Sequence, residues 1–275
     1  MMSEIGAVYS TLVADIRHAG TDALHHLIAF SGGVDSALTA KAVFDAFPRN
    51  CEAVMALSPS VSAMMQEAAS DIAGHIGIPL RFVQSAEYLD PTYIANEGQS
   101  CYICKSNIYS AMEAVYRGAN TDDTILYNGT NADDLGDPTR VGLQAAREHA
   151  VRSPLARFTK EEIRLLSRHA GLPNWNAAAS PCLRSRLRIG IPATVDHLRR
   201  IERAEEIVRK MYAFAEEVNF RVRHLPDDIA MVEVEASLID RLDLARCRDA
   251  ILALGFRHVD KRTFRSGSVS SATAR

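Results

Sequence analysis

Two groups of residues have the types and spacing to do chemistry. The first is Ser31-Gly32-Gly33-Val34-Asp35-Ser36. An apolar run, Leu27 to Phe30, precedes it, and Ala37, Leu38, Ala40, Val43 and Phe44 follow at helical spacing. A glycine-rich turn between a buried strand and a helix exposes backbone N–H groups at a helix N-terminus, a common way to hold phosphate oxygens. The lysine and longer spacer of G-x-x-x-x-G-K-[ST] are missing, and the order is not G-x-G-x-x-G. The second group is three cysteines. Cys101 and Cys104 form a single C-x-x-C, which suits a redox dithiol, half a zinc site or two ligands of an iron–sulfur cluster. With no second C-x-x-C, a four-cysteine zinc site is disfavoured. Cys182 follows a proline in a segment without periodicity, and Arg184 and Arg186 beside it would favour its thiolate. Cys51 and Cys247 sit in apolar patterns and read as inert thiols.

Polar residues cluster again in Gly129-Thr130-Asn131-Ala132-Asp133-Asp134, just past a short apolar run. Asp35, Asp133 and Asp134 offer the oxygen ligands that Mg2+ prefers, and Gly129 and Asn131 belong to the same expected ligand edge. Ser58, past another apolar run, is placed beside the Ser31–Ser36 turn, where it would meet a base. Arg221 and Arg223 alternate on one strand and share a face. With Arg186 and Arg265 they would clamp a phosphate or carboxylates. Alternation alone serves equally for two solvated arginines on a half-exposed strand. His224, next to them, is the one histidine singled out.

The elements that must carry these residues alternate strand and helix. Helices are predicted over 1–22, from Ser36 to about Phe47, over Met64–Ile76, over Cys101–Val115 and from the Thr159/Glu162 capping box to about Ala170. Strands are predicted at 27–30, Cys51–Leu57, Leu80–Val83 and Ile125–Asn128, with a loop over Asp90–Gln99. This order predicts an open, mostly parallel α/β sheet, whose ligands sit beyond the carboxyl ends of its strands. Composition changes at Asn174–Ser180. The expected division is a first domain over 1–180 and a small C-terminal α+β domain over 181–275, with the junction at about 174–193. That second part should hold a charged helix over 194–214, half-exposed strands at 220–224 and 231–235, one helix over Leu238–Leu254, a last strand at 256–259 and a Gly/Ser-rich tail.

Hydrophobic residues make up 47% and charged residues 24%, as in ordinary globular proteins, and no apolar stretch reaches membrane-spanning length. A net charge of -3 argues against nucleic acid as the general partner. An odd five cysteines argues against a disulfide framework, so the cytoplasm is the expected compartment.

S-G-G-x-D-S after a strand resembles the PP-loop of the ATP pyrophosphatase superfamily (adenine nucleotide alpha hydrolase-like fold), whose members adenylate a substrate and release pyrophosphate. Within it, the chain most resembles the LarE family of ATP-dependent sulfur transferases, which build the nickel-pincer nucleotide of lactate racemase. The resemblance runs through Ser31–Ser36, Cys101–Lys105, Gly129–Gly136, Ser153-Pro154-Leu155, Pro181–Arg186, Arg221-Val222-Arg223 and Phe264–Ser268. It departs at Thr139–Gly142 and Asn176–Ser180.

The resemblance implies ATP and Mg2+ as cofactors and adenylation of a carboxylate of pyridinium-3,5-biscarboxylic acid mononucleotide. The residue matching Cys182 then attacks the acyl-adenylate and displaces AMP. In one branch that cysteine gives up its own sulfur. In the other, residues matching Cys101, Cys104 and Cys182 hold a [4Fe–4S] cluster carrying a donated sulfide, drawn from sulfide or a sulfur-delivery source. All three cysteines are present, which favours the cluster branch. Arg221, Arg223 and Arg265 match residues around the mononucleotide phosphate, with Ser185 nearby. A homohexamer is implied too. The rival readings are a tRNA thiolase, which would need a basic RNA-gripping surface, an amide synthetase without sulfur chemistry, and a non-catalytic nucleotide-binding module.

Overall fold

The computed structural model describes residues 2–115, 123–137, 139–214 and 218–265. The predicted Ser266–Ser268 motif and the Gly/Ser-rich tail lie outside the described residues. Two compact units are formed, one from Met1–Ser58, Ala63–Glu87 and Cys101–Ala177, the other from Pro59–Ser62, Tyr88–Ser100 and Ala178–Arg275.

In the first unit α1 (Met2–Ala19) leads to β1 (His25–Ala29), α2 (Val34–Ala46), β2 (Cys51–Leu57), α3 (Ala63–Ile76) and β3 (Leu80–Gln84). After α4 (Pro91–Ala95), which belongs to the second unit, come α5 (Ser100–Val115), β4 (Thr124–Tyr127), α6 (Ala132–Leu135), α7 (Gly142–Glu148) and α8 (Lys160–His169). The strands form a four-stranded sheet in the order β3-β2-β1-β4, every pairing parallel. The fold is thus α/β, with the all-parallel sheet expected of a PP-loop core. The apolar runs are the cause: Leu27, Ile28, Ala53 and Val54 are wholly buried, as central parallel strands covered on both faces must be. Thr159 caps α8 through the foreseen box, accepting from the Glu162 N–H while Glu162 accepts from the Thr159 N–H.

The second unit contains α9 (Val195–Tyr212), β5 (Phe220–Leu225), β6 (Ile229–Val234), α10 (Arg248–Leu252) and β7 (His258–Thr263). β5 and β6 are antiparallel and β6 and β7 parallel, giving a three-stranded sheet. Val222, Val232 and Val234 pack with Ala204 and Val208 of α9 and Ile251 of α10.

Three expectations are corrected. The segment Asp90–Gln99 contains a helix, because Asp90 accepts from the N–H groups of Thr92 and Tyr93 and Pro91 occupies the first helical position. The single helix over Leu238–Leu254 is instead two 3-10 turns, Ala236–Arg241 and Leu244–Arg246, followed by α10. Asp243 breaks it by turning back to accept from the Ala245 N–H at 3.1 Å. β5 is not half-exposed: all but its last residue are buried, including Arg221 and Arg223.

Candidate active site

Ser31–Ser36 leaves the carboxyl end of β1 and enters α2. Gly32 has φ +72°, and a Cβ on it would lie 2.7 Å from the Ala69 Cα, so both backbone conformation and space demand glycine. The turn is tied internally: Ser36 Oγ donates to the Gly33 carbonyl at 3.0 Å and lies 3.1 Å from Ser31 Oγ. Asn174 Nδ2 holds the Gly32 carbonyl at 2.7 Å. Gly33 is the N-cap of α2 and brings no side-chain oxygen to its first-turn amides, so these keep their donors for a ligand.

The loop beyond β4 packs directly on this turn. A Cβ on Gly129 would lie 2.8 Å from the Asp35 carbonyl carbon, so Gly129 is what allows the two loops to touch. Asn131 caps α6 by accepting from the Asp134 N–H, and its Nδ2 donates to Asp35 Oδ1 at 3.3 Å. The structure therefore gathers Ser31, Gly32, Gly33, Asp35, Ser36, Gly129 and Asn131 at one edge of the sheet. Asp134 faces Arg140 at 2.8 Å. Ser58 immediately follows β2 at the same carboxyl edge.

One cation at this edge escaped the sequence reading. Lys160, the first residue of α8, places Nζ 2.5 Å from Asp35 Oδ2, while its backbone N–H donates to Asp133 Oδ2 at 2.9 Å. Lys160 thus touches both acidic loops.

Apart from Cys101 and Cys104 on α5, the other candidates lie in the second unit, several of them around a 3-10 turn, Leu183–Arg186, that Cys182 opens. The Cys182 carbonyl accepts from Ser185 Oγ at 2.7 Å and from the Ser185 N–H at 3.0 Å, so backbone and hydroxyl hold the turn and leave the partly exposed thiol out of it. Arg184 reaches Asn96 Oδ1, and Arg186 pairs with Glu205 at 2.9 Å. Asn96 is wholly buried, and its Nδ2 donates to the carbonyls of Arg188 and Ile191.

Across the small sheet, Arg221, Glu233 and Arg262 stand in register on β5, β6 and β7. Glu233 Oε2 takes Nε of Arg221 at 2.5 Å and of Arg223 at 3.0 Å, and Oε1 takes Nε and Nη2 of Arg262 at 2.9 and 2.6 Å. Burial pushes the Glu233 carboxyl up, but Arg223, Arg262 and Arg221 together hold it below the usual carboxylate range. Burial lowers both Arg221 and Arg223, against the pull of Glu233. Arg221 also lies over the Phe264 ring and donates to the Arg265 carbonyl.

No family model matches the chain. An uncharacterised protein of Synechocystis is 42% identical over 189 residues, covering 67% of this chain and 69% of the relative. The pyridinium-3,5-bisthiocarboxylic acid mononucleotide synthase of Lactiplantibacillus plantarum is 32% identical over 277 residues, covering 98% of this chain and 96% of the relative. The chain belongs to the LarE family of sulfur transferases.

The cysteines of this LarE-family chain sort by environment. Cys51 and Cys247 are buried, and burial raises both thiols, Cys51 to about 12. Cys101 is exposed, and Cys104 and Cys182 are partly so. Cys101 and Cys104 lie one turn apart on one face of α5, which fits two corners of an iron–sulfur cluster. Among the described residues no three His, Cys, Asp or Glu side chains gather into a group that could hold a metal. No helix among them is long and apolar enough to cross a membrane.

Glu233, Glu205, Asn96 and Lys160 were all missed because their partners are distant in sequence. The only early signal was Glu233 on an alternating strand. Its removal should be costly. Glu233→Gln leaves three guanidiniums around a neutral amide, and breaking buried pairs of this kind costs about 3–5 kcal/mol. Guanidinium unfolding at pH 7 measures it, and a loss below about 1 kcal/mol, the range of a surface pair, would contradict the assignment. Because the Glu233 pKa is depressed, its contribution is complete above the unfolded carboxylate range and disappears as pH falls through the lower folded value. The difference between wild type and variant should therefore shrink in acid.

Proposed function

We propose that this chain catalyses ATP-dependent sulfur insertion into pyridinium-3,5-biscarboxylic acid mononucleotide. The observation that carries the reading is the match along nearly the whole chain to a synthase named for the bisthiocarboxylic product. A substrate carboxylate attacks the α-phosphorus of ATP and pyrophosphate leaves, giving an acyl-adenylate. Sulfur then adds to the activated carbonyl and AMP departs, so one carboxylate oxygen is replaced by sulfur.

The residues divide these tasks. Backbone N–H groups of Ser31–Ser36 cradle phosphate oxygens, and Asp35, with Asp134, orients Mg2+ at the same edge. Asn131 aligns the Asp35 carboxylate, and Lys160 offsets charge on the phosphates. Ser58 and Gly129 lie where the nucleoside would rest. In the second unit Arg221, Arg223 and Arg265 bind the mononucleotide phosphate, Cys182 supplies the sulfur position, and Arg184, Ser185 and Arg186 hold the turn that presents it. A [4Fe–4S] cluster on Cys101, Cys104 and Cys182 would leave one iron open to carry the donated sulfide. The alternative is Cys182 as sacrificial donor. That assignment keeps the protein's place in the cytoplasm, without a membrane.

Two measurements test this reading. Pyrophosphate exchange into ATP should depend on the biscarboxylate nucleotide. Anaerobically reconstituted protein should carry about four irons and a broad charge-transfer band in the blue. Exchange indifferent to the nucleotide would remove the substrate assignment. Colourless, iron-free protein that still transfers sulfur would remove the cluster and leave the sacrificial route.

A further inference from the structure

We infer that Asn174 is a positioning residue for adenylation. By holding the Gly32 carbonyl it keeps the Gly32–Gly33 peptide turned so that its N–H, and not its oxygen, meets the pyrophosphate part of ATP. The inference rests on the ATP reading above. Neither the S-G-G-x-D-S turn nor the other expected site residues include Asn174.

Asn174 lies 142 residues from Gly32, and its Nδ2 donates to the Gly32 carbonyl at 2.7 Å. A trans peptide is planar, so its C=O and N–H point in opposite directions. Fixing the Gly32 oxygen therefore also fixes the direction of the Gly33 N–H. The neighbours make this bond matter. Turning a peptide over changes ψ of the residue before it and φ of the residue after it. Gly32 already has φ +72°, and Gly33 has φ -72° and ψ 162°, which a flip would carry into the positive-φ region. Most residues resist that change, whereas glycine does not. Support from within the turn is thin, since the Gly33 N–H reaches Ser31 Oγ at a long 3.4 Å. A flipped peptide would present a carbonyl oxygen to an anion where the observed one presents a donor.

Asn174 is itself braced. Its carbonyl accepts from the Ala177 N–H at 2.9 Å, Arg164 Nη1 donates to Asn176 Oδ1 at 3.0 Å, and the Arg168 guanidinium lies over the Trp175 ring. His75 of α3 meets the Gly171 carbonyl at 2.9 Å, and the same helix supplies the Ala69 backbone that crowds Gly32. The far side of the Asn174 amide is unmet: Oδ1 is buried and has no hydrogen-bond partner among the described residues. A buried amide oxygen without a donor carries a desolvation cost. Leucine, of similar size, would fill the space without that cost. What asparagine adds is the Nδ2 donor, aimed at the one carbonyl that decides which end of the Gly32–Gly33 peptide faces the ligand.

Asn174→Leu, Gly33→Ala and the double variant of the full chain test this. An alanine Cβ at Gly33 would lie 3.5 Å from Ser31 Oγ, an ordinary contact, yet alanine disfavours the positive φ of a flipped peptide. Isothermal titration with ATP, inorganic pyrophosphate and the biscarboxylate mononucleotide is read beside kcat/KM for pyrophosphate exchange and a thermal melt. Asn174→Leu should weaken ATP and pyrophosphate about tenfold, the scale of one lost charge-assisted hydrogen bond. Mononucleotide affinity should stay. In the Gly33→Ala background the same substitution should cost much less in kcat/KM, because alanine then opposes the flip that the Asn174 bond prevented. Equal affinities of wild type and Asn174→Leu for ATP and pyrophosphate would overturn the inference. So would a penalty undiminished in the Gly33→Ala background, or one shared equally by the mononucleotide with a large fall in Tm. If wild type binds neither ATP nor pyrophosphate, the ATP reading fails and the inference with it.

Discussion

Cys182→Ala should abolish sulfur transfer while nucleotide-dependent pyrophosphate exchange continues. The two half-reactions separate because different residues serve them. In the proposed mechanism adenylation draws on the Ser31–Ser36 turn, Asp35 and Lys160, all in one unit, and sulfur delivery on Cys182, a residue of the other. The variant should fold normally. The turn at Cys182 is held by its carbonyl, which alanine retains, and by Ser185 and Arg186. Alanine also accepts the extended backbone of Cys182, φ -59° and ψ 159°. Product thiolation and exchange measured on one preparation decide the matter. Full sulfur transfer by the variant would show that Cys182 is neither donor nor essential ligand. Loss of both activities with unchanged Tm would show that it serves adenylation instead.

Lys160→Met should lower the rate of adenylation by about 10²–10³, the usual consequence of removing one preorganised charge from a developing anion. Its effect on stability should be small. The Lys160–Asp35 pair is partly solvated, with side chains 35% and 29% exposed, and such pairs contribute at most about 1 kcal/mol. Methionine keeps the helix propensity and the backbone N–H that Asp133 accepts. Lys160→Arg should recover part of the rate by restoring charge without the compact ammonium. Pre-steady-state pyrophosphate release, read beside a thermal melt, separates chemistry from folding. An unchanged rate in Lys160→Met would reduce the pair to a surface ion pair.

How much of this was legible in the residues follows from where the information is local. Leu27–Phe30 and Cys51–Leu57 are continuous apolar runs bounded by turn formers, so these strands and the parallel α/β class could be read directly. The α8 capping box was equally local. The Arg221–Arg223 strand was not. Alternating arginines ordinarily signal solvent, and here they are buried because Glu233, ten and twelve residues away, lies in register to receive them. Lys160 is 125 residues from Asp35, and only the folded sheet brings them together. Asn96 sat in a stretch read as loop, yet it is a buried amide that ties Arg184 to the chain at 188–191. Long-range polar pairing has no periodicity, which is why these residues appear only in the structure.

Anaerobic incubation with ATP, Mg2+ and the biscarboxylate mononucleotide, followed by mass measurement of both nucleotide and intact protein, tests the central claim most directly. The account predicts AMP, pyrophosphate and a nucleotide in which sulfur has replaced oxygen. It further predicts repeated turnovers, with sulfide supplied, at unchanged polypeptide mass. A protein lighter by one hydrogen sulfide after a single turnover would assign the sulfur to Cys182 itself. A nucleotide that keeps all its oxygens while ATP is consumed would contradict sulfur transfer as the function of this chain.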